Sequence, residues 1–519
     1  MPPDDLAQLA RPVPRPEAFT VRLLFPFLIE RRSARRGAEL LCAAARGVAR
    51  GLWTQEPPRR LYRYRLDMTG QLDRFLFSGA ASGSAGGAYL LAAPAVTQRW
   101  LGELTVELPR RAPARIGLDD GSGVELFLTG HGAGVLSLGF VLRDTLDASG
   151  LVELNSRLAQ LTRPGERAPW LVVGPAPEPA PAASPDHAGP AAPLEPPPAA
   201  DPAIPLLDRL QRPGSRFALA ELVVQLLEPL RPLGLTPTQD ALCAYTVVRL
   251  PAGPDLSDGA TRAALGPLVS TLAQVETPRR APPAGRRLGV PNLLIDARHW
   301  TAASLQGSTH VLIDREEGGA EAEKVAALVR DKYFIPYLTA LLQRCAIKRA
   351  AEEATDMVVG AGAAHEPVSA LRSQVLEFVL AGALPEVSVR SSLHRYYRLC
   401  QKAADLRRNM GQVRRALADL EAQLAARQQM EISEAQRQMA GRAAESLESS
   451  HKIHAALAWI EVFIVVAYAA ELVKFFLIEL HEIEQPLWRA VATTLVVAPG
   501  LVALAVLRPW RHRHGHRPG

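Results

Sequence analysis

Catalytic signatures are missing from this chain. It has no His-Glu-x-x-His, no Gly-x-Ser-x-Gly and no protein-kinase set, so the usual arrangements of metal, nucleophile or phosphate loop are excluded. Cysteine is scarce. Cys42, Cys243, Cys345 and Cys400 stand far apart without metal-type spacing, which predicts reduced thiols and neither a disulfide framework nor a zinc site. The first residues, MPPDDLAQLARPVPRP, contain no basic n-region and no apolar h-region, so export of the N-terminus is not expected. Excess positive charge is small as well. The net charge is +6, and Arg508, Arg511, Arg513 and Arg517 all lie in the last residues. That distribution reads as a topology signal with anionic-lipid contact, and no nucleic-acid partner is expected.

Two long apolar stretches are present, residues 455–480 and 487–507. About 20 apolar residues in a helix cross the hydrocarbon core of a bilayer. The second stretch meets this with Arg489 as its only charge, at the edge. The first carries Glu461, Glu471 and Lys474. Three such charges cost up to roughly 9 kcal/mol, against about 6 kcal/mol returned by the apolar residues. It is therefore marginal alone and reasonable as one half of a hairpin. Glu471 and Lys474, three apart, are spaced to pair along one helix face. Tyr468 lies one helical repeat from Glu461. The connection is acidic, with Glu479, Glu482 and Glu484, and the basic tail 508–519 follows. The positive-inside rule then places both termini in the cytoplasm, at the inner (plasma) membrane. His512, His514 and His516 alternate with arginine in that tail, neighbours that disfavour a dication.

The rest of the chain divides by composition. After a flexible start (1–18), residues 19–163 read as an α+β region. FTVRLLFPFLIE alternates as a strand, SARRGAELLCAAARGVARGLW has helical spacing, LYRYRL, GELTVEL, VELFLT and VLSLGFVL are strand candidates, and GLVELNSRLAQL is a helix. From 164 to 205 about a third of the residues are proline. Such a segment is expected to be disordered, either as a spacer or as a solvent loop inserted into one larger domain. The loop reading is preferred, because the strand candidates CAYTVVRL, NLLIDAR and THVLID of region 206–385 are few and would complete a shared sheet. A helix over 321–357 contains Pro336, which should kink it, and its Tyr333, Phe334 and Tyr337 are expected to pack in a core. Gly130, Gly132 and Gly134 in TGHGAG are expected to form a hairpin turn and not a phosphate cradle. His131, His299 and His310 lie only loosely near acidic residues and are expected to be structural or exposed.

No proline occurs between Pro385 and Pro486. Leu399, Ala403, Leu406, Met410, Val413, Leu417, Leu420 and Leu424 fall at alternating steps of four and three, a coiled-coil seam. Region 386–454 is thus a stalk, either one helix or a hairpin folding near Gly441, with the seam packing between subunits or within one chain. The fold expected is an α+β cytoplasmic body, a coiled-coil stalk helix and a two-helix transmembrane hairpin. This layout resembles the CorA-type two-span magnesium transporters over roughly residues 388–519. The Gly-Met-Asn element of that family is absent, and Phe475 to Leu480 stand in the corresponding stretch. The expected role is an oligomeric membrane-tethered sensor or scaffold, in contact with the lipid bilayer and with other copies of itself through stalk and spans. No cofactor is expected. The alternative, a CorA-like cation transporter, would bring a divalent cation such as magnesium.

Overall fold

The run from Phe19 to Phe27 alternates its side chains between two faces and is apolar on nearly all of them, as a strand covered on both sides requires. The computed structural model describes residues 13–29, 53–55, 67–77, 88–92, 102–108, 111–119, 123–129, 132–160, 170–174, 214–239, 241–253, 255–275, 290–315, 320–359 and 386–480, with scattered positions between 486 and 498. The chain divides into two units, residues 1–421 and 422–519.

The first unit is an α+β body built on one mixed sheet of 14 strands. In chain order these are β1 (Ala18–Leu28), β2 (Trp53–Gln55), β3 (Ala88–Ala92), β4 (Leu104–Val106), β5 (Ala114–Leu118), β6 (Val124–Leu128) and β7 (Ala133–Leu142). There follow β8 (Trp170–Val173), β9 (Arg216–Ala218), β10 (Thr236–Pro237), β11 (Cys243–Leu250), β12 (Asn292–Asp296), β13 (His299–Ala303) and β14 (Gly307–Ile313). Their order across the sheet is β12-β13-β14-β11-β1-β7-β5-β4-β8-β9, with β6 joining β7 to β3, β2 pairing β3, and β10 pairing β1. Among the described strands only β11 and β14 run parallel. The link between them contains α4 (Gly259–Gln274), which Asp258 caps by accepting hydrogen bonds from the Ala260 and Thr261 amides. Among the described residues the other α-helices before it are α1 (Gly70–Phe77), α2 (Ala148–Leu158) and α3 (Leu219–Leu227).

β6 and β7 form an antiparallel hairpin, with the Gly132 amide donating to the Thr129 carbonyl and Gly132 at φ 78°; Gly130 and His131 lie outside the described residues. Gly134 needs its glycine for space, since a Cβ would sit 2.4 Å from the Phe27 ring. The helix expected over 33–53 lies outside the described residues except for Trp53, which opens β2. LYRYRL also lies outside them.

Two boundaries move. The expected linker 164–205 contains a strand, β8, which pairs with β4 on one side and β9 on the other. The remaining proline-rich residues join two neighbouring antiparallel strands, with the Gly214 amide donating to the Val173 carbonyl at 2.7 Å. The segment is therefore an insertion into one sheet. Replacing 175–213 by a two-residue Asn-Gly turn should leave the body folded. Loop shortening on that scale should raise stability by about 1–3 kcal/mol, readable as a shifted denaturation midpoint at unchanged slope. The second boundary is in the helix expected over 321–357. It forms as α5 (Ala320–Leu328), a π-helical turn (Val329–Tyr333) and α6 (Phe334–Val359). Pro336 has no N–H to give the carbonyl four residues back, and the wide turn immediately before it absorbs that loss.

The expected stalk is not one helix from 388. α7 (Ser391–Ala403) stops, Asp405 turns the chain with φ 53°, and α8 (Leu406–Leu480) begins. At 1.5 Å per residue α8 is about 110 Å long. It passes through Gly441 without folding back. The segment of α8 up to residue 421 belongs to the first unit. The second unit contains the rest of α8, exposed along nearly its whole length. The second expected span, 487–507, lies outside the described residues apart from a few helical positions.

Candidate functional site

The two faces of the central sheet differ in chemistry. On one, Phe19, Val21, Leu23, Val248, Trp300, Val311 and Ile313 join the residues of α2, α3 and α4 in a continuous apolar core. On the other, the alternate positions of the same strands bring Arg22, Tyr245, His299, Thr301, Ser308 and His310 under α6 and α7, all of them buried. A buried face that polar needs partners for its groups.

Arg22 supplies the first set. Its guanidinium donates to Glu125 at 2.7 Å and to Asp331 at 2.9 Å, and it stacks 4.3 Å above the Phe334 ring. Glu125 is fully buried and also accepts the Tyr89 hydroxyl at 2.6 Å. Asp331 belongs to the π-helical turn, as does Arg330, which lies 3.3 Å from Asp119. The Val329 carbonyl of the same turn accepts the Tyr245 hydroxyl at 2.7 Å. The wide turn is therefore held by strands β1 and β11 and by Asp119, just after β5.

The second set centres on two histidines. Thr301 pairs with His310 across β13 and β14, so His299 is two residues along and diagonal to His310 on the same face. His299 Nε2 and His310 Nδ1 are 2.9 Å apart. The rings of Tyr245, Tyr333 and Tyr396 lie 5.0, 5.6 and 4.8 Å from that of His310. Tyr396 comes from α7, and its hydroxyl shares a 2.7 Å hydrogen bond with Ser308. Burial holds His299 down to about 4 and keeps His310 well below its usual value. The same burial pushes the Tyr245 and Tyr396 hydroxyls far up. His310 Nε2 and Thr301 Oγ1 have no hydrogen-bond partner among the described residues.

No known family, curated protein or solved structure matches this chain. Its residues must speak for themselves. The start of α7 is clipped to the body by Asp67, which takes φ 74° and lies 2.9 Å from both Lys332 and Arg390. The hydrogen bond from Lys332 holds the Asp67 carboxyl below its ordinary range. Cys243, Cys345 and Cys400 are free and buried, and burial raises their thiols, Cys345 and Cys400 to about 12. Among the described residues no three or more His, Cys, Asp or Glu are grouped to hold a metal ion.

The residues expected from the sequence fall into three groups. Leu406, Val413, Leu417 and Leu420 are buried within the single chain, and Leu399, Met410 and Leu424 half-buried. The seam up to Leu420 thus packs inside the first unit and is not open to another subunit. Glu461, Tyr468, Glu471 and Lys474 are exposed on α8, and no ion pair between Glu471 and Lys474 occurs among the described residues. Glu479 lies on α8, while Glu482 and Glu484 are outside the described residues. Tyr333, Phe334 and Tyr337 are buried, Tyr333 against both histidines.

The buried polar face was missed in the sequence. Its signal is period two: His299 and Thr301 alternate with Trp300, and Ser308 and His310 with Thr309. A lone Arg22 in FTVRLLFPF and a lone Glu125 in VELFL mark a charge pair in the same way.

Proposed function

We propose that this chain is a membrane-anchored protein whose α+β body is tethered by the apolar end of α8, and that it works as an oligomeric sensor or scaffold. One observation carries the anchor. α8 is the one helix among the described residues long and apolar enough to cross a bilayer, and none of its apolar window is buried in the chain. From residue 453 onward the apolar side chains go all round: Ile453, Leu457, Trp459, Ile460, Phe463, Ile464, Val465, Val466, Leu472 and Phe475 are exposed. A helix apolar on every side must be buried in protein or in lipid, and this one has no protein cover among the described residues. Trp459, near the start of the apolar stretch, suits an interfacial zone. Among the described residues the buried polar face offers no catalytic constellation: Arg22 is joined to Glu125 and Asp331, and His299 to His310. That favours binding or scaffolding over chemistry.

The hairpin reading adds 487–507 as a second span and returns the basic tail to the cytoplasmic side of the inner membrane. Membrane fractionation followed by alkaline extraction tests the anchor. The intact protein should stay with the lipid, and a chain ending at Lys452 should be soluble. Retention of that truncated form would sink the tether. A reporter fused at Glu484 should read as external and one after Gly519 as cytoplasmic. A cytoplasmic signal at Glu484 would refute the hairpin.

Glu461 gives the cation-transport alternative its foothold, because a carboxylate exposed on a lipid-facing helix is costly unless it meets water or another helix. Lys474, 13 residues on, is about 20 Å away along α8 and does not neutralise it. Under transport, Glu461→Gln should change divalent-cation flux in liposomes with assembly intact. Under anchoring, neither protein should support flux.

A further inference from the structure

We propose that His299 and His310 form a proton-sensitive lock that holds α7 on the sheet when both rings are neutral and releases it when they are protonated. The geometry sets this. Two ring nitrogens 2.9 Å apart leave room for one proton between them. If that proton sits on His299, His310 is left with its other proton directed at aromatic rings. If it sits on His310, that ring's Nε2 is an unprotonated orphan acceptor. Neither arrangement accommodates a second charge. An extra proton makes one ring a buried cation, and two extra protons place N–H against N–H.

The surroundings offer that cation little. β14 contributes Ser308, β13 Thr301, β11 Tyr245, the π-helical turn Tyr333, and α7 Tyr396. The charges acting on this shell are Asp296 of β12 on His299 and Tyr333, Arg390 and Arg395 on Tyr333, and Arg22 and Asp331 on Tyr245. Arg22 and Asp331 are joined to each other, and Asp296 is the one acid acting on His299. Cys400 of α7 backs Tyr396 as a neutral thiol. The layer that can leave is α7. It covers the pair with Tyr396, is clipped at its start by Arg390 to Asp67, and ends at the left-handed turn of Asp405. Asp67 stays ionised in mild acid, so the clip holds while the helix lifts. The lock stands whether or not α8 enters a bilayer.

Histidines that are buried in the closed state and solvated in the open one shift the balance only below about pH 6.5. Each then multiplies the open-to-closed ratio by up to about tenfold per pH unit, and two by about a hundredfold. Hydrogen–deuterium exchange on the full-length protein in detergent, corrected for the intrinsic pH dependence of exchange, reads this directly. Peptides covering 391–403 should be protected at pH 7.5. They should gain exchange steeply between pH 6.5 and 5, while β1 and β7 stay protected. In His299→Gln/His310→Gln the pH dependence should vanish. Equal protection of α7 at pH 7.5 and 5 in the unmodified protein would overturn the lock, as would the same acid response in the double variant. Should that variant fail to fold, Tyr396→Phe decides. It loses the Ser308 bond and keeps both histidines, so α7 should open more at every pH with the same pH slope. A slope abolished by Tyr396→Phe, or no added opening, counts against the lock.

Discussion

Arg22→Ala should be among the most damaging single changes in the body, lowering its unfolding free energy by about 3–5 kcal/mol. The substitution takes from fully buried Glu125 the guanidinium 2.7 Å away and removes the group that ties β1 to Asp331 of the π-helical turn. A buried charge pair contributes little net stability compared with a well-packed apolar pair, but breaking it on one side strands the other charge. The double change Arg22→Met/Glu125→Leu should therefore recover most of the loss. Tyr89 donates its hydroxyl to Glu125, so the same double change with Tyr89→Phe added reads what that hydrogen bond contributes. Urea unfolding of the four proteins checks this. A double variant as unstable as Arg22→Ala would mean that the loss comes from packing around Phe334 and not from charge.

Leu417→Asp/Leu420→Asp should unfold the end of the first unit. Each leucine is buried within the chain, at 6% and 4% exposure. Losing a buried leucine costs about 2–5 kcal/mol before the aspartate's desolvation is added. The mark of an intrachain contact is that this loss does not change with protein concentration. A subunit seam would instead give a midpoint that rises with concentration. Leu447, on the exposed part of α8, serves as the control: Leu447→Asp should leave thermal unfolding of the body unchanged.

These two cases show what the residue pattern conveys and what it withholds. The spacing at 399–424 falls on two helices with a turn between them, and a seam of leucines looks the same whether its partner is another chain or the same one. Sequence spacing records which side chains share a face, and burial alone says where that face goes. The strands with strong alternation, such as VLSLGFVL and CAYTVVRL, were legible from their β-branched and aromatic content. β5 (ARIGL) and β3 (AYLLA) were not, being short and rich in alanine and glycine. β8 was hidden because four strand residues, WLVV, stand at the head of a proline-rich run that dominates any window containing them. The histidine pair was illegible for another reason. His299 and His310 are 11 residues apart on different strands, and only the β13–β14 register puts them in contact.

The place of β1 in the sheet bears on how the protein is made. Among the described strands it is the first in chain order, and it lies between β7 and β11. Its pairing with β11 requires the chain to reach Leu250, 222 residues after β1 ends at Leu28. At about 5–20 residues per second, that is on the order of 10–45 s during which an apolar strand has an open edge. Nascent chains are thus most exposed to aggregation before residue 250 emerges. By the time the apolar end of α8 is synthesised, every strand of the body has been made. Biogenesis of this protein is then a sequence in which the sheet can close around β1 before the apolar end of α8 is made.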